Sequence, residues 1–507
     1  NPMWVGGKVY YTSDKRGPVG LYSFDIASGR VEEEIRGEGF DIKSASAGDG
    51  VIVYEKLGGL YLFDPKTRKS TKVPLTVRGD FPEVRPQFKN LVNNLNSASI
   101  SPSGARVATT ARGWLMTVPA SKGDARLLDD AQGVNRRDVA WSPDGRTLAY
   151  ITDAGGFQEL GLHDVEKKTE RRLTLPDREN YYYSPVWSPD SKRLTVVDRK
   201  NQFWIVNVET GEAKTFDRLT YNDPTISQAP RWSPDSKWIA YAKDLDNHLL
   251  AVFLYNVETG KSTQITDGLS SANSPVFDRD GKHLYFFAST NVGPSASWLD
   301  MSSFTVPNTS SSVYAVVLSK DGPNPLQPES DEEKPKPAAP PAAAPGTPAA
   351  PPAQAPAPAA APKSFETKID LEGIESRIIT LPLPAQGYVA LEPGTPGSFF
   401  ALVSPPRPTA TSFGGPASVL KFSFADRRVT PFAQGVQGIS TTPDGTKALL
   451  AAGNGLQIVS TMAPPQPGQG AVDLSGLRVK IDPAKEWRQI YDEIWRNQPI
   501  FFYSPNL

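Results

Sequence analysis

Cysteine is absent from all 507 residues, which excludes disulfides, thiolate zinc sites and a cysteine nucleophile while leaving either a reducing or an oxidising compartment open. Histidine is nearly absent: His163, His248 and His283 are the only three, each in or beside a predicted strand, and no H-E-x-x-H or other metal-ligand spacing joins them. They read as ordinary strand positions, and neither a metal nor a cofactor is expected. G-x-S-x-G does not occur, so the strained strand-to-helix turn that exposes the nucleophile of a prolyl-peptidase-type hydrolase is missing. No charge of one sign dominates. Fifty-four basic against 55 acidic residues leave a net charge of -1, without a lysine-arginine block to track a phosphate backbone, and nucleic acid is not an expected partner. Also lacking is a run of about eighteen apolar residues that could span a bilayer. The chain starts at Asn1, without an initiator methionine or the charged and apolar regions of a signal peptide, and enters a strand pattern almost at once; a true N-terminus is expected to have been removed.

What the sequence does have is repetition. Its length exceeds what one compact core holds, and with 38% hydrophobic and 10% aromatic residues it carries ample apolar surface for several domains or a repeat array. An S-P-D-G/S turn, preceded by an apolar or aromatic residue and followed by a β-rich run, recurs at Ser101-Pro102-Ser103-Gly104, Ser142-Pro143-Asp144-Gly145, Ser188-Pro189-Asp190-Ser191, Ser233-Pro234-Asp235-Ser236 and Asp278-Arg279-Asp280-Gly281. Positions 101, 142, 188, 233 and 278 are separated by 41, 46, 45 and 45 residues, the period of a four-stranded propeller blade. After each turn come an inner strand (Thr147 to Ile151), a second strand (Glu159 to Asp164) and a last polar-apolar alternation. Weaker copies lie at 8–25, 51–64 and 387–424, and Thr442-Pro443-Asp444-Gly445 opens another. Nine units result. A single closed propeller rarely has nine blades, so two propellers are expected, one of them incomplete.

Between Pro323 and Pro362 the sequence turns acidic and lysine-rich and then almost purely proline and alanine. Such a stretch cannot build a core and is expected to be an extended, disordered insertion interrupting a blade. Near the C-terminus the period changes: Trp487, Ile490, Tyr491, Ile494 and Trp495 fall on one helical face, with Asp482 and Pro483 as N-cap and first helical residue.

Candidate side chains divide into turn, core and rim. Asp278-Arg279-Asp280-Gly281 is a fragment of a calcium loop, yet it lacks the further oxygens such an ion needs and coincides with the repeating turn, so it reads as a turn. Asp144, Asp190, Asp235 and Asp444 share the position and are expected to accept bonds from local backbone amides. Trp141, Trp187 and Trp232 recur at blade spacing and read as packing between sheets. Tyr181-Tyr182-Tyr183, Trp298, Arg136, Arg137, Arg171, Arg172 and Arg231 are less repetitive; they are candidates for a funnel mouth, weighed against solvated rim positions.

Several stretches together resemble the tricorn protease family: Pro2-Met3-Trp4-Val5-Gly6-Gly7-Lys8-Val9-Tyr10-Tyr11, Ile369-Asp370-Leu371-Glu372-Gly373-Ile374-Glu375-Ser376-Arg377 with Leu381-Pro382-Leu383-Pro384, and the tail through Glu486-Trp487, Trp495-Arg496 and Phe501-Phe502-Tyr503-Ser504-Pro505-Asn506. The resemblance implies a six-bladed and a seven-bladed propeller ahead of a serine peptidase region with a PDZ domain. It assigns 1–75 to the last two blades of the six-bladed propeller, 76–470 to the complete seven-bladed one with 323–362 inserted in it, and 476–507 to the start of the catalytic region. The family's catalytic serine and histidine fall beyond residue 507, so no catalytic, cofactor or metal residue is carried over.

The expected fold is therefore all-β: a seven-bladed β-propeller plus two blades of a preceding six-bladed propeller, with a short α-helical C-terminal tail. The resemblance implies a noncatalytic gate for peptides or unfolded polypeptide, with the protein's own PDZ and catalytic domains and further copies of itself as partners. The rival is a TolB-like propeller acting as an interaction module without peptidase activity. A soluble protein is expected, and the proline-alanine stretch is similar to that of exported bacterial relatives, favouring the periplasm with the cytoplasm open.

Overall fold

The computed structural model describes residues 2–221, 229–291, 310–328, 366–405, 415–453 and 455–502. Trp298, residues 329–362 of the insertion and Tyr503 to Asn506 lie outside them. The chain forms two compact units, Asn1–Glu83 and Val84–Leu507.

The first unit is two antiparallel four-stranded sheets, Met3–Val5, Lys8–Ser13, Gly20–Asp25 and Val31–Ile35, then Ile42–Gly48, Val51–Lys56, Gly59–Asp64 and Lys69–Lys72. Side chains alternate in direction along a strand, so one set can face the other sheet. Met3, Tyr10, Leu21, Ile42, Ile52, Tyr54 and Phe63 bury one another in the seam.

The second unit carries seven blades. Blades 1 to 4 have the strands Leu95–Ile100, Arg106–Ala111, Trp114–Pro119 and Arg126–Leu127; Arg136–Trp141, Thr147–Thr152, Glu159–Asp164 and Thr169–Thr174; Tyr182–Trp187, Arg193–Asp198, Gln202–Asn207 and Ala213–Arg218; Arg231–Trp232, Trp238–Asp244, Leu250–Asn256 and Lys261–Gln264. Blade 5 has Ser271–Phe277, His283–Ser289, Ser312–Val317 and Ile378–Thr380, and blade 6 has Tyr388–Pro393, Ser398–Val403, Ala417–Ser423 and Arg428–Val436. Blade 7 has three strands, Gly438–Thr441, Lys447–Ala452 and Gly455–Ser460. The proline-alanine insertion separates the third and fourth strands of blade 5, which still pair, Tyr314 opposite Thr380.

First strands of successive blades touch one another, that of blade 4 reaching blade 3 through the Trp232 indole on Val186 O, and that of blade 7 returns to blade 1, so the first strands are innermost and the ring is closed. The strand after each S-P-D turn, expected to be inner, is second in its sheet; the strand before the turn faces the axis. Closure does not use a shared blade. Gln87–Asn90 pairs with Arg478–Ile481 in a separate two-stranded ribbon, and Leu91, Val107, Trp114, Leu449, Leu456 and Leu477 fill the seam beside it.

Turn chemistry accounts for the repeat. In blades 2, 3, 4 and 7 the first hydroxyl of the turn donates to the aspartate two residues on, at 2.5–2.6 Å, and that carboxylate accepts the amide two residues further, at 3.0–3.1 Å. The same hydroxyl also accepts the amide five residues on, from Thr147, Arg193, Trp238 and Lys447. One Ser/Thr-Pro-Asp thus satisfies the backbone of its own hairpin and launches the second strand.

The C-terminal helix spans Pro483–Phe501, with the Asp482 side chain accepting from the Ala484 amide and Pro483 at the first position. It docks by its polar face. Arg112 binds Glu486 with two bonds of 2.9 and 2.6 Å, Asn135 reaches Glu493 at 3.0 Å, and Asp153 accepts from Gln489 at 2.9 Å and Arg496 at 2.7 Å. Trp487, Ile490, Tyr491, Ile494 and Trp495 point to solvent. No helix among the described residues is long and apolar enough to cross a membrane.

Candidate functional site

The innermost strands share a local device. Asp138, Ser184 and Ser274 each take a left-handed conformation, φ 55°, 56° and 57°, four residues before the turn of their blade. The register of strand pairing slips at each of these points. Such bulges bend the strand facing the axis and re-aim its polar groups. Ser274 Oγ, for example, accepts the Leu391 amide of blade 6 at 3.0 Å.

On the face that carries the first-to-second-strand turns, blades 4 to 7 are tied by a polar clasp. Arg231 of blade 4 pairs with Glu392 of blade 6 at 3.2 Å, passing over the intervening blade 5. Glu392, 7% exposed, also accepts the Thr441 amide and hydroxyl of blade 7, both at 3.1 Å. Arg279, from the blade 5 turn, donates to Gly394 O at 2.7 Å and Thr441 Oγ1 at 2.6 Å, and also to the carbonyls of Pro393 and Pro443. Gly445 (φ 72°) is required here, because a Cβ would collide with the Gly394 carbonyl. Four blades thereby converge on one guanidinium and one carboxylate at the inner edge of the ring. A charge-assisted network of this kind is strong when complete and costly when one member is removed.

The other predicted site residues scatter. Arg136 and Arg137 are not at a mouth or a solvated rim: they are 2% and 8% exposed. Arg136 pairs with Asp129 and donates to Gly113 O, while Arg137 donates to Asp138, Gln158 at 2.8 Å and Tyr182 O and lies 4.0 Å from the centre of the Tyr181 ring. Both cross-link neighbouring blades. Arg171 and Arg172 lie on the outer strand of blade 2, Arg171 donating to Val208 O and Glu209 O and Arg172 to Glu159. Tyr182 is buried, with Tyr181 and Tyr183 partly exposed beside it. Trp187 and Trp232 are buried, and their indole N–H groups donate to the preceding blade at Ala140 O (3.1 Å) and Val186 O (3.3 Å). Trp141 is only partly buried, and its indole nitrogen is shielded without a hydrogen-bond partner. Of the histidines, His163 is buried in blade 2, His248 stacks on Tyr221 at 4.1 Å, and His283 lies beside Asp278 and Asp280.

That last grouping was missed by sequence reasoning, which took His283 as a strand position and the two aspartates as a turn. Burial first, then Asp280 beside it, pushes the Asp278 carboxyl up to about 6, and burial pulls His283 down. The available signal was the substitution itself: position 278 holds aspartate where the sister turns hold Ser101, Ser142, Ser188, Ser233 and Thr442. Glu392 was missed because the blade 6 turn, Gly394-Thr395-Pro396-Gly397, lacks the repeated pattern.

A closed ring of seven blades with a polar inner clasp, following two further blades, defines a propeller protein. The model of the tricorn protease second β-propeller domain matches residues 95–462, and the chain belongs to the tricorn protease family. It is 25% identical over 503 residues to a tricorn protease homolog of Saccharolobus solfataricus, covering 98% of this chain and 43% of that protein. Tricorn protease homolog 1 of Streptomyces coelicolor is also 25% identical, over 98% of this chain and 46% of its own length. The crystal structure of the tricorn protease superposes over 99% of this chain and 46% of that one, with a TM-score of 0.73 at 18% identity, a likeness of fold. The chain therefore spans a little under half the length of these relatives.

Proposed function

We propose that this chain is the noncatalytic propeller region of a tricorn-like serine peptidase, and that its seven-bladed ring admits peptides or unfolded polypeptide along the axis to an active site elsewhere in the longer protein. The observation that carries this reading is the clasp of Arg231, Glu392, Thr441 and Arg279, which joins the inner edges of four blades. Arg231, whose side chain is 40% exposed, can meet an extended backbone with a hydrogen bond, while the other members of the clasp hold the rim that would exclude a folded domain by size. The exposed apolar stripe of the C-terminal helix supports contact with the protein's own catalytic and PDZ domains or with a further copy of the chain. The proline-alanine stretch supports a periplasmic setting.

The test compares unfolded fluorogenic peptides incubated with this chain and with the protein extended through its catalytic region, with a serine-directed inhibitor as control. Hydrolysis only by the longer protein, abolished by the inhibitor, is expected. Hydrolysis by neither would favour an interaction module of the TolB type, and hydrolysis by this chain alone would place a catalytic site within it.

A further inference from the structure

Blade 5 breaks the turn pattern in a way that gathers ligand atoms. Asp278, buried, stands where the other turns have a hydroxyl. Its carboxylate accepts the Asp280 amide at 2.9 Å, the Gly397 amide of blade 6 at 2.9 and 3.1 Å, and the Tyr285 hydroxyl. Asp280 Oδ1 accepts the Lys282 amide at 2.8 Å. His283 is 8% exposed, and its Nδ1, shielded from solvent and without a hydrogen-bond partner, lies 3.9 Å from Asp280 Oδ1. One ligand atom from each of the three residues lies within 4.8 Å of the other two. Arg279, in the same turn, is spent on blades 6 and 7, and among the described residues no lysine or arginine forms an ion pair with Asp278 or Asp280.

We propose that Asp278, Asp280 and His283 bind one divalent transition-metal ion of the zinc class in the first-to-second-strand turn of blade 5. Two carboxylate oxygens and one imidazole nitrogen suit zinc or cobalt; calcium would need six or more oxygens and magnesium an all-oxygen octahedron. Ligand atoms on tetrahedral zinc sit about 3.3 Å apart, so capture draws these three together by roughly an ångström, with water completing the shell. Tyr285 and the Gly397 amide hold the Asp278 carboxylate and act as positioning groups. This inference does not depend on the peptide-gating role.

The experiment strips the chain with a chelator, dialyses it, and titrates zinc and cobalt separately. Expected are one zinc retained per chain, a visible cobalt absorption band, and a melting temperature raised by zinc. Loss of a ligand exceeds the roughly 10–100-fold penalty typical of an outer-shell change, so Asp280→Asn and His283→Gln should weaken binding more than about a hundredfold, and Tyr285→Phe by about tenfold. With no cysteine and only two other histidines, background binding is small. Asp280 is only partly buried in a turn, so Asp280→Asn keeps the test valid if His283→Gln fails to fold. Failure of the wild-type chain to retain either ion, or wild-type affinity in Asp280→Asn, would overturn the proposal.

Discussion

Blades 2 to 4 share one turn, whereas among blades 5 to 7 only blade 7 keeps it, and the two groups are held together differently. In the former, contacts repeat: a hydroxyl of the next turn, Ser191 or Ser236, accepts the amide of Asp144 or Asp190 at 3.1 Å, and an indole N–H staples blade 3 to blade 2 and blade 4 to blade 3. The latter are bridged by single long side chains: Arg279 to blades 6 and 7, Arg231 of blade 4 to Glu392, and Lys447 to Ser103 O at 2.8 Å, closing the ring. Repetition specifies the architecture, and departures from it concentrate the chemistry near the axis.

The largest expected effect sharpens the contrast on the regular side. Trp187→Ala removes a buried indole and its bond to Ala140 O, and should cost about 3–5 kcal/mol in denaturant unfolding; a loss below 1 kcal/mol would mean the blades do not depend on the staple. Glu392→Gln leaves the Arg231 guanidinium without its anionic partner, with an expected cost of about 1–3 kcal/mol that a Thr441→Val change should not fully add to, since both belong to one network. Additive losses in that double mutant would show the clasp is not a unit. Asp144→Ala removes a local turn bond and should cost about 0.5–1.5 kcal/mol; a similar value for Asp190→Ala would show the repeats are equivalent. The smallest effect is at the exposed helix stripe, where Trp495→Ser should change the stability of this chain by about 0.5 kcal/mol or less. A larger loss would mean the stripe is already covered.

What the sequence made legible follows from range. The turn, its spacing and the helix cap are local, and Ser142-Pro143-Asp144 carries its own hydrogen-bond partners within five residues, so the blade architecture could be read directly. The family stretch at 369–377 could be recognised but not explained: Arg377 clamps the returning chain onto Val317 O at 3.0 Å and Glu372 O at 3.1 Å, seating blade 5's last strand after the insertion. Arg136 and Arg137 were misjudged because paired arginines on a strand look solvated, whereas their burial depends on Asp129 and on the Tyr181 ring of the next blade. Arg279 meets Thr441 across 162 positions, and Glu392 lies in a turn outside the repeat, so no local pattern could reveal the clasp. The helix showed its apolar stripe plainly, yet the contacts that decide which face docks, Arg112 with Glu486 and Asp153 with Arg496, span more than 340 positions.

The central claim, that the inner edge of the ring controls peptide access, is tested most directly by size selectivity in the longer protein. Hydrolysis rates for short and progressively bulkier peptides would be compared between the natural protein and the Arg231→Ala/Glu392→Ala double variant. Opening the clasp should raise the rate on bulky peptides severalfold while leaving the shortest unchanged. An identical rate profile in a variant that remains folded would contradict the account.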